Sequence, residues 1–437
     1  MALAKDETGR DRESIRGLSP LVILWIRRTD ELWTSRQTRL DALSPETRAC
    51  KFFSNDLPMN ALSLVKELIK IESPSNISNV AVSNFLQQEL EHIGFAVERL
   101  EYLDVNEVRK VSLVGKKGTG TGGLAYFAHS DTVPAETWHS SEHGPFAPAI
   151  VEQKLYGRGS CDMKGSIACM ISAAREMDES QLQEPLYIAI TADEEVGYLG
   201  AKQVAAESGY YREMVEAETP AIIGEPTLLE VVHAHKGSYG FRVTSRGRAA
   251  HSSTSEGINA NLAMIPFLLE MKAIHEETET SQQWHDTRFD PPTVSWNIGI
   301  NDHTPAVNVT PPQSVCTVYF RPMPEQDPEI LMQRAETAAL NLGLEFEAFR
   351  HGLPFFTEPD SPFVRQATEL AGHQKSRTVS YGTDGGVLEE LKHKVVLGPG
   401  SIAQAHTADE WITLKQLTAG TEMYAKFIRH YCGTQAS

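Results

Sequence analysis

The stretch Leu124-Ala-Tyr-Phe-Ala-His-Ser-Asp131 decides the fold class. Its first five residues form a short apolar run bounded by turn residues, which is the pattern of a strand buried on both faces of a sheet. Similar apolar runs follow at residues 186–190, 220–223 and 394–397. Helical stretches such as residues 166–177 lie between these runs. This alternation predicts an α/β fold in which helices cover both faces of one sheet.

A histidine or an acidic residue follows each of the four runs. These residues are, in chain order, His129, Asp131, Glu194, Glu195, Glu225 and His406. Because ligands of open α/β sheets bind beyond the carboxyl ends of the strands, we expect these side chains to converge. Asp162 joins them from a glycine-punctuated loop, residues 157–165, that leads into a predicted helix.

Two histidines and several carboxylates in one crevice predict a cation site. Zn²⁺ binds imidazole nitrogen and carboxylate oxygen, and two ions about 3.5–4 Å apart need one ligand that bridges both. The candidate ligands are His129, Asp162, Glu195, Glu225 and His406. Glu194 lies beside a ligand without being needed as one, so we expect it to accept a proton from the attacking water. Asp131 is placed to orient the imidazole of His129.

Each motif alone has a plainer explanation. A single His-x-Asp sequence or Glu-Glu pair is more often part of a solvated loop than of a site. Cys161 beside Asp162 is more typical of a small packing residue, and His251 alone is typical of a surface histidine near a turn. The recurrence of such positions at successive strand ends is what favours a functional site.

Composition and charge indicate which kinds of partner the protein can bind. The 437 residues carry 40 basic and 58 acidic side chains, a net charge of -18, which would repel phosphate backbones and anionic lipid. We therefore expect no nucleic-acid or membrane partner and favour a small ligand. Five cysteines without a Cys-x-x-Cys pair fit a reducing compartment, so we expect a cytoplasmic protein. The apolar segment at residues 18–26 is too short to span a bilayer, and its acidic flank is unlike that of a signal peptide.

The pattern of charged and apolar residues changes along the chain and predicts four segments. Before a predicted amphipathic helix at residues 60–71, the chain is charged and lacks sustained periodicity. Farther on, amphipathic strands at 239–244, 293–299 and 314–320 accompany two long helices, which indicates an inserted αβ module. The predicted segments are residues 1–58, either a disordered extension or an artefact of the gene start; 59–236, the first half of a catalytic domain; 237–349, the inserted module; and 350–437, the second half of the catalytic domain.

Several motifs resemble those of the metallopeptidase M20 family of dinuclear zinc aminoacylases. They are His129-Ser-Asp-Thr-Val-Pro134, Leu155-Tyr-Gly-Arg-Gly-Ser-Cys-Asp-Met-Lys-Gly165, Thr191-Ala-Asp-Glu-Glu-Val-Gly197 and Ile223-Gly-Glu-Pro-Thr227, together with His251. The resemblance runs from about Met59 to near the C-terminus. It implies a zinc-hydrolase domain with a mixed sheet and an inserted ferredoxin-like lid that also mediates dimerisation. The spacing from Trp138 to Phe146 is longer than is usual for the family, which affects the expected loop geometry but not the ligands.

The resemblance also implies a role for each candidate residue. Asp162 would bridge two divalent ions, Zn²⁺ or alternatively Co²⁺. The other implied ligands are His129 and Glu225 for one ion, and Glu195 and His406 for the second. The implied catalytic residues are Glu194 as general base and acid, Asp131 beside the ligands, and His251 on the oxyanion. The implied substrate-binding residues are Ser238, Asn308, Arg321, Gly382 and Thr383.

The activity that the resemblance implies is hydrolysis of the N-acyl amide of an amino acid. The tail Leu397-Gly-Pro-Gly-Ser-Ile-Ala-Gln-Ala-His-Thr-Ala-Asp-Glu-Trp411 favours the branch of the family that deacetylates N2-acetyl-L-ornithine in arginine biosynthesis. Alternatives within the family are succinyl-diaminopimelate desuccinylase, acetylcitrulline deacetylase, and dipeptidase or carboxypeptidase. A non-catalytic binding protein on the same fold is the alternative of another class. We expect a small N-acylated amino acid as substrate and a homodimer formed through the lid.

Overall fold

The structure, a computed structural model, describes residues 59–304 and 306–434. The predicted extension at residues 1–58, with its apolar segment and Cys50, lies outside the described residues. The helices of the described ranges are α1 Ala61–Lys70, α2 Val80–His92, α3 Lys164–Arg175, α4 Leu199–Glu207, α5 Gly209–Glu216, α6 Ala260–Thr280, α7 Glu329–Asn341, α8 Pro362–Leu370 and α9 Leu414–Tyr431.

Strands make up three sheets in the same ranges. They are β1 Ala96–Leu103, β2 Arg109–Lys117, β3 Leu124–His129, β4 Ala149–Val151, β5 Lys154–Tyr156, β6 Leu186–Thr191, β7 Ala221–Ile223, β8 Val232–His235, β9 Ser238–Arg246, β10 Asn297–Asn301, β11 Gln313–Phe320, β12 Glu345–Gly352, β13 Phe355–Phe356, β14 Arg377–Val379, β15 Lys394–Val396 and β16 Trp411–Thr413.

The largest sheet is mixed and places four parallel strands side by side. Its order within the described residues is β1-β2-β6-β3-β7-β15-β8-β13, and β14 pairs with β8. The strands β6, β3, β7 and β15 are parallel to their neighbours within this set. Their carboxyl ends therefore meet at one edge of the sheet, and His129 at the end of β3 stands opposite Thr191 at the end of β6.

Helices cover both faces of this sheet, as the apolar runs predict. Leu124, Tyr126 and Ala128 of β3 pack in one core cluster with residues of α1, α2, α3 and α9. The alternate residues Ala125 and Phe127 pack in a second cluster with residues of α4 and α5. Because side chains of a strand alternate between faces, an uninterrupted apolar run is what such a strand requires.

A second sheet is antiparallel, with the strand order β10-β11-β9-β12. Along the chain its elements run β9, α6, β10, β11, α7, β12, which is the ferredoxin-like order that the resemblance implied. Its aromatic core contains Phe241, Phe267 and Trp296. The strand predicted from residue 293 begins only at Asn297, because Ser295 has a φ of 53° and interrupts the extended backbone.

The third sheet joins distant segments of the chain. It has the order β16-β5-β4, so the segment that follows His406 pairs with the strand that precedes Asp162. Cysteines 161, 169, 316 and 432 are buried free thiols, which agrees with the absence of a disulfide pattern in the sequence. Among the described residues, no helix has the length and apolar character needed to cross a bilayer.

Candidate metal centre

The strand ends of the mixed sheet place acidic and histidine side chains around one point. His129 is the last residue of β3, and Glu194 and Glu195 lie in a short 3₁₀ turn after β6. Glu225 follows β7 by two residues. Asp162 arrives from the loop before α3, so four separate segments of chain converge here with the His406 loop as a fifth.

Asp162 lies between the two histidines of the cluster. Its Oδ1 is 3.1 Å from Nε2 of His129, and its Oδ2 is 3.3 Å from Nε2 of His406. Glu225 Oε1 is 3.5 Å from Nε2 of His129, and Glu195 Oε2 is 2.9 Å from Nε2 of His406. Asp162 thus presents one carboxylate oxygen to each of the two histidines.

Two sets of three side chains can each bring their ligand atoms within 4.8 Å of one another. One set is His129, Asp162 and Glu195, and the other is His129, Glu194 and Glu225. The second set includes Glu194, which the motifs predict to be a base rather than a ligand. Glu194 is thus close enough to the ligands to act on a molecule held between them.

The cluster concentrates negative charge away from water. Burial raises the pKa of Glu194 and of Glu225 well above the ordinary value, and neighbouring carboxylates raise the pKa of Glu225 further. Burial also acts to raise the pKa of Asp162, but hydrogen bonds with the two histidines outweigh it and hold that pKa low. Hydrogen bonds with Asp162 and Glu195 raise the pKa of His406 to about 10.

This donor set fits divalent metal ions. Four carboxylates of the cluster face only two imidazoles, and Oε1 of Glu195 is buried without a hydrogen-bond partner among the described residues. A buried carboxylate oxygen without a partner is costly unless a cation or a donor satisfies it. Imidazole nitrogen and carboxylate oxygen are ligands that Zn²⁺ and similar ions accept.

Asp131 holds the turn that carries the two glutamates. Its carboxylate accepts hydrogen bonds from the backbone N–H groups of Glu194 (3.2 Å) and Glu195 (3.3 Å) and from Ser75 Oγ (2.8 Å). The closer contact to the imidazole of His129 comes from the Asp131 backbone carbonyl, which accepts from Nδ1 at 2.9 Å, while the carboxylate is 3.6 Å away. Asp131 therefore orients His129 through its main chain and the glutamate turn through its side chain.

A second cluster of polar residues lies between the mixed sheet and the antiparallel sheet. Arg321, directly after β11, donates from Nη1 to Ser238 Oγ at 2.7 Å. Tyr198 Oη is 3.4 Å from the same Ser238 oxygen, and a Cβ on Gly382 would lie 2.8 Å from it. Within residues 59–304 and 306–434, the Arg321 guanidinium forms no ion pair, so it is available to a ligand anion. Thr383 is buried and its hydroxyl already contacts His235 Nε2 at 3.0 Å.

A cleft of about 440 Å³ opens beside the candidate ligands. Its lining residues are Glu194, Glu195, Val196, Gly197, Tyr198, Tyr319 and His351. Tyr198 belongs both to this cleft and to the Arg321 cluster. A small molecule in the cleft would therefore contact the glutamate turn and Tyr198, together with Tyr319 and His351 of the antiparallel sheet.

Two predicted residues lie apart from the centre. His251 and Asn308 are both exposed and sit together, because Ser252 N–H donates to the Asn308 carbonyl at 3.0 Å. Nδ1 of His251 is 2.7 Å from Ser253 Oγ. In the described ranges, neither side chain forms a hydrogen bond or ion pair with the metal ligands or with Arg321.

Two buried carboxylates of the site were not predicted from the sequence. Asp384 accepts a hydrogen bond from Thr191 Oγ1 at 2.6 Å, and burial raises its pKa to about 6. It directly follows Gly382-Thr383, which was the only signal for it. Glu410 accepts hydrogen bonds from the loop that carries Asp162. It lies in the tail motif directly before β16, and because it does not follow a strand, the pattern that singled out the other carboxylates did not mark it.

Comparison with known sequences supports the resemblance drawn from the motifs. The sequence profile of Peptidase family M20/M25/M40 matches residues 125–430. A protein of Myxococcus xanthus named acetylornithine deacetylase is 34% identical over 394 residues, which cover 87% of this chain and 99% of that protein. A protein of the same name from Proteus mirabilis (strain HI4320) is 34% identical over 370 residues, 83% of this chain and 92% of that one.

Solved structures share the fold. The M20 family metallo-carboxypeptidase Sso-CP2 from Sulfolobus solfataricus superposes with a TM-score of 0.68 at 15% identity, over 86% of this chain and 99% of that one. The YXEP protein of Bacillus subtilis, described as a dinuclear metal-binding peptidase of the M20 family, has a TM-score of 0.55 at 17% identity, over 84% and 96% of the two chains. The predicted fold class, a mixed α/β sheet with flanking helices, is confirmed by these likenesses together with the strand order.

Proposed function

Because the chain belongs to Peptidase family M20/M25/M40, we propose that it is a dinuclear metal-dependent amidohydrolase that deacetylates N2-acetyl-L-ornithine to ornithine and acetate. The observation that carries this proposal is the arrangement of Asp162 between His129 and His406, with Glu194 beside them. The choice of substrate rests on the two relatives named acetylornithine deacetylase, each matched over more than nine-tenths of its length.

Each residue of the cluster has a proposed role in holding two ions. Asp162 would be shared between them. His129 and Glu225 would complete the ligands of one ion, and Glu195 and His406 would complete those of the other. The 2.9–3.5 Å separations of these partners support that pairing. We propose Zn²⁺ as the resident ion, with Co²⁺ as an alternative, because the same nitrogen and oxygen donors accept both.

Glu194 is the proposed general base and acid. When bound, the divalent ions would polarise the acyl carbonyl and lower the pKa of the attacking water. Glu194 accepts the proton from that water and then delivers it to the nitrogen of the leaving amino acid. The backbone hydrogen bond from Glu194 to Asp131 fixes the turn, and burial keeps the pKa of Glu194 above that of a solvated carboxylic acid.

Arg321 and Ser238 are proposed to bind the α-carboxylate of the substrate. The guanidinium and the hydroxyl lie 2.7 Å apart and face the backbone of Gly382, where a side chain would occupy the space. A planar guanidinium recognises a carboxylate through two parallel hydrogen bonds. Replacing Arg321 with methionine should raise KM for an N-acyl amino acid by about tenfold to a hundredfold, as expected for loss of a charged hydrogen bond of about 1.5–3 kcal/mol. The bound metal content should not change.

The ferredoxin-like module, residues 237–349, is proposed to act as a lid and as the contact between two copies of the chain. On α6, Leu262, Ile265 and Leu269 are exposed at spacings of three and four residues and so lie on one face of the helix. The end of β10 adjoins this face, because Asn261 donates to Asp302 at 3.0 Å, and Ile300 of that strand is also exposed. An apolar face of this kind is typical of a subunit contact.

His251 and Asn308 belong to the same module. We propose that His251 stabilises the oxyanion and that Asn308 binds the substrate, which requires both residues to be brought close to the cleft. Because both are exposed in a single chain, either closure of the module or a second copy must bring them to a cleft. His251→Ala should lower kcat by about 10²–10³ while leaving the metal content intact, as for loss of one oxyanion donor. An unchanged kcat would remove His251 from the reaction.

A substrate panel with controlled metal content tests the proposed function. Protein stripped of metal and reloaded with Zn²⁺ or Co²⁺ would be assayed on N2-acetyl-L-ornithine, N-acetylcitrulline, N-succinyl-diaminopimelate and simple dipeptides. The proposal predicts metal-dependent activity that is highest on N2-acetyl-L-ornithine. A preference for another compound would reassign the substrate, and activity without metal would overturn the mechanism. We also propose a role in arginine biosynthesis, which rests on this substrate, and a cytoplasmic location.

A further inference from the structure

We propose that Glu410 is a positioning residue that holds the shared ligand Asp162 in place and ties it to the loop carrying His406. This inference rests on the proposed metal centre. Glu410 is four residues after His406 in sequence, and its side chain is 1% exposed. Among the described residues, its carboxylate forms no hydrogen bond with the side chain of any candidate ligand. Its proposed effect is therefore exerted through the backbone around Asp162.

The carboxylate of Glu410 is saturated by four donors, three of which are backbone N–H groups of one loop. Oε1 accepts from the N–H groups of Cys161 (2.8 Å) and Asp162 (3.0 Å). Oε2 accepts from the N–H group of Gly159 (3.0 Å) and from Nη1 of Arg158 (2.9 Å). Hydrogen bonds of backbone N–H groups to an ionised carboxylate are among the stronger ones in proteins.

These N–H groups belong to a buried loop that is neither helix nor strand. Residues 158–163 precede α3, and Ser160, Cys161 and Asp162 are all buried. Buried backbone donors must be paired, and here the side chain of Glu410 supplies the acceptors that a sheet or helix would otherwise supply. The backbone that carries the Asp162 side chain, with one oxygen toward each histidine, is thus held in part by this carboxylate.

Glu410 also connects the Asp162 loop to the loop of the second histidine. Its backbone carbonyl accepts from the N–H group of Gly157 at 3.0 Å. The next residue, Trp411, begins β16 and pairs with Tyr156 of β5. Main chain and side chain of Glu410 thus both hold the segment before Asp162, whose carboxylate lies 3.3 Å from His406.

A plainer explanation for the buried Glu410 is that its ion pair with Arg158 only stabilises the fold. Arg158 uses one of four acceptor positions on the carboxylate, and the three backbone contacts do not need it. The two explanations differ in which substitution should weaken metal binding. Arg158→Gln breaks the ion pair but leaves the loop contacts, whereas Glu410→Gln turns an amide NH₂ toward two of the N–H groups.

The test is a metal titration of the full chain, with wild type, Glu410→Gln and Arg158→Gln compared in the metal-free and reloaded states. Wild type should take up two Zn²⁺ or Co²⁺ ions. Glu410→Gln should bind at least one of them about 10–100-fold more weakly, as found when residues behind metal ligands are replaced. Its Co²⁺ absorption spectrum should also change, while Arg158→Gln keeps its affinity within about threefold of wild type and its spectrum.

Each other outcome has a defined meaning. Wild-type affinity and spectrum in Glu410→Gln would overturn the role of Glu410 alone, and equal loss in both variants would show that only the ion pair matters. A wild-type protein that takes up fewer than two ions would instead overturn the metal centre. If Glu410→Gln does not fold, the double variant Arg158→Gln/Glu410→Gln, in which no charge is left unpaired, replaces it in the same titration with the same expected loss.

Discussion

At the scale of single residues, both histidines of the candidate metal centre have raised pKa values. Hydrogen bonds with Asp162 and Glu195 raise the pKa of His406 to about 10 in the metal-free protein. Burial acts to lower the pKa of His129, but Asp162, Glu225 and Glu194 outweigh it and raise that pKa well above the ordinary value. The raised pKa values favour the protonated imidazole at both positions, whereas a metal ligand must be neutral.

Metal binding should accordingly release protons, and the apparent affinity should rise as pH rises from neutral toward about 10, the pKa of His406. Calorimetric titrations in buffers of different ionisation enthalpy would measure the number of protons released. His406→Asn is the matched control, because it should release fewer protons than wild type. An affinity independent of pH, with no proton release, would contradict this account of the histidines.

The same pairs also affect the stability of the metal-free protein. The folded-state pKa of His406, about 10, is above its reference value of 6.5. The ion pairs therefore stabilise the fold fully below about pH 6.5, and this contribution is lost as pH rises through about 10. Since the imidazole is about half exposed, solvent screening keeps the contribution small.

At the scale of elements, the turn after β7 depends on a glycine. A Cβ on Gly224 would lie 2.7 Å from Ser166 Oγ and would also strike the Tyr126 hydroxyl, which hydrogen-bonds to that oxygen at 2.8 Å. The turn therefore tolerates only a residue without a side chain, and it delivers Glu225 to the ligand cluster.

Gly224→Ala should lower the free energy of unfolding by about 1–3 kcal/mol, the usual cost of overpacking, and should weaken metal binding by displacing Glu225. Thermal or denaturant unfolding and a zinc titration would measure the two effects. Gly144→Ala is the control, since its Cβ would meet only the Ala147 side chain, at an ordinary 3.5 Å. Equal stability and affinity of Gly224→Ala and wild type would show that the turn can relax.

The parallel strands could be predicted from sequence because burial on both faces leaves a clear trace. In β3, every residue from Leu124 to Ala128 is buried, so the apolar run and the strand nearly coincide. The convergence of the acidic and histidine residues could be predicted for the same reason, because most of them lie at or follow the end of a buried strand. Helix α1, the first helix of the described residues, was equally predictable, because Leu64, Val65, Leu68 and Ile69 form its buried face.

Other features depend on contacts that sequence spacing does not encode. Glu410 contacts a loop 251 positions earlier, and the pairing of β16 with β5 helps to bring the two together. The start of β10 depends on the left-handed backbone of Ser295. The roles of His251 and Asn308 came from resemblance alone, and they stay predictions because both residues are exposed in the single chain.

At the scale of the whole molecule, the proposed homodimer should depend on the exposed face of α6. Leu269→Glu places a charge in that apolar face and should shift the protein from dimer to monomer, measured by light scattering after size-exclusion chromatography at micromolar concentration. Leu103→Glu is the control, because Leu103 is similarly exposed but lies at the end of β1 in the mixed sheet. A wild-type monomer, or a Leu269→Glu dimer, would contradict the proposed contact.

The central claim is that a two-ion centre with Glu194 as its base hydrolyses the substrate amide. The most direct test is kcat on N2-acetyl-L-ornithine for wild type and Glu194→Gln, both reloaded to two ions per chain as verified by metal analysis. The account predicts that kcat falls by about 10²–10⁴ in the variant, with ion content unchanged, because proton transfer is lost while the ligands remain. A Glu194→Gln protein that holds two ions and keeps near-wild-type kcat would contradict the account.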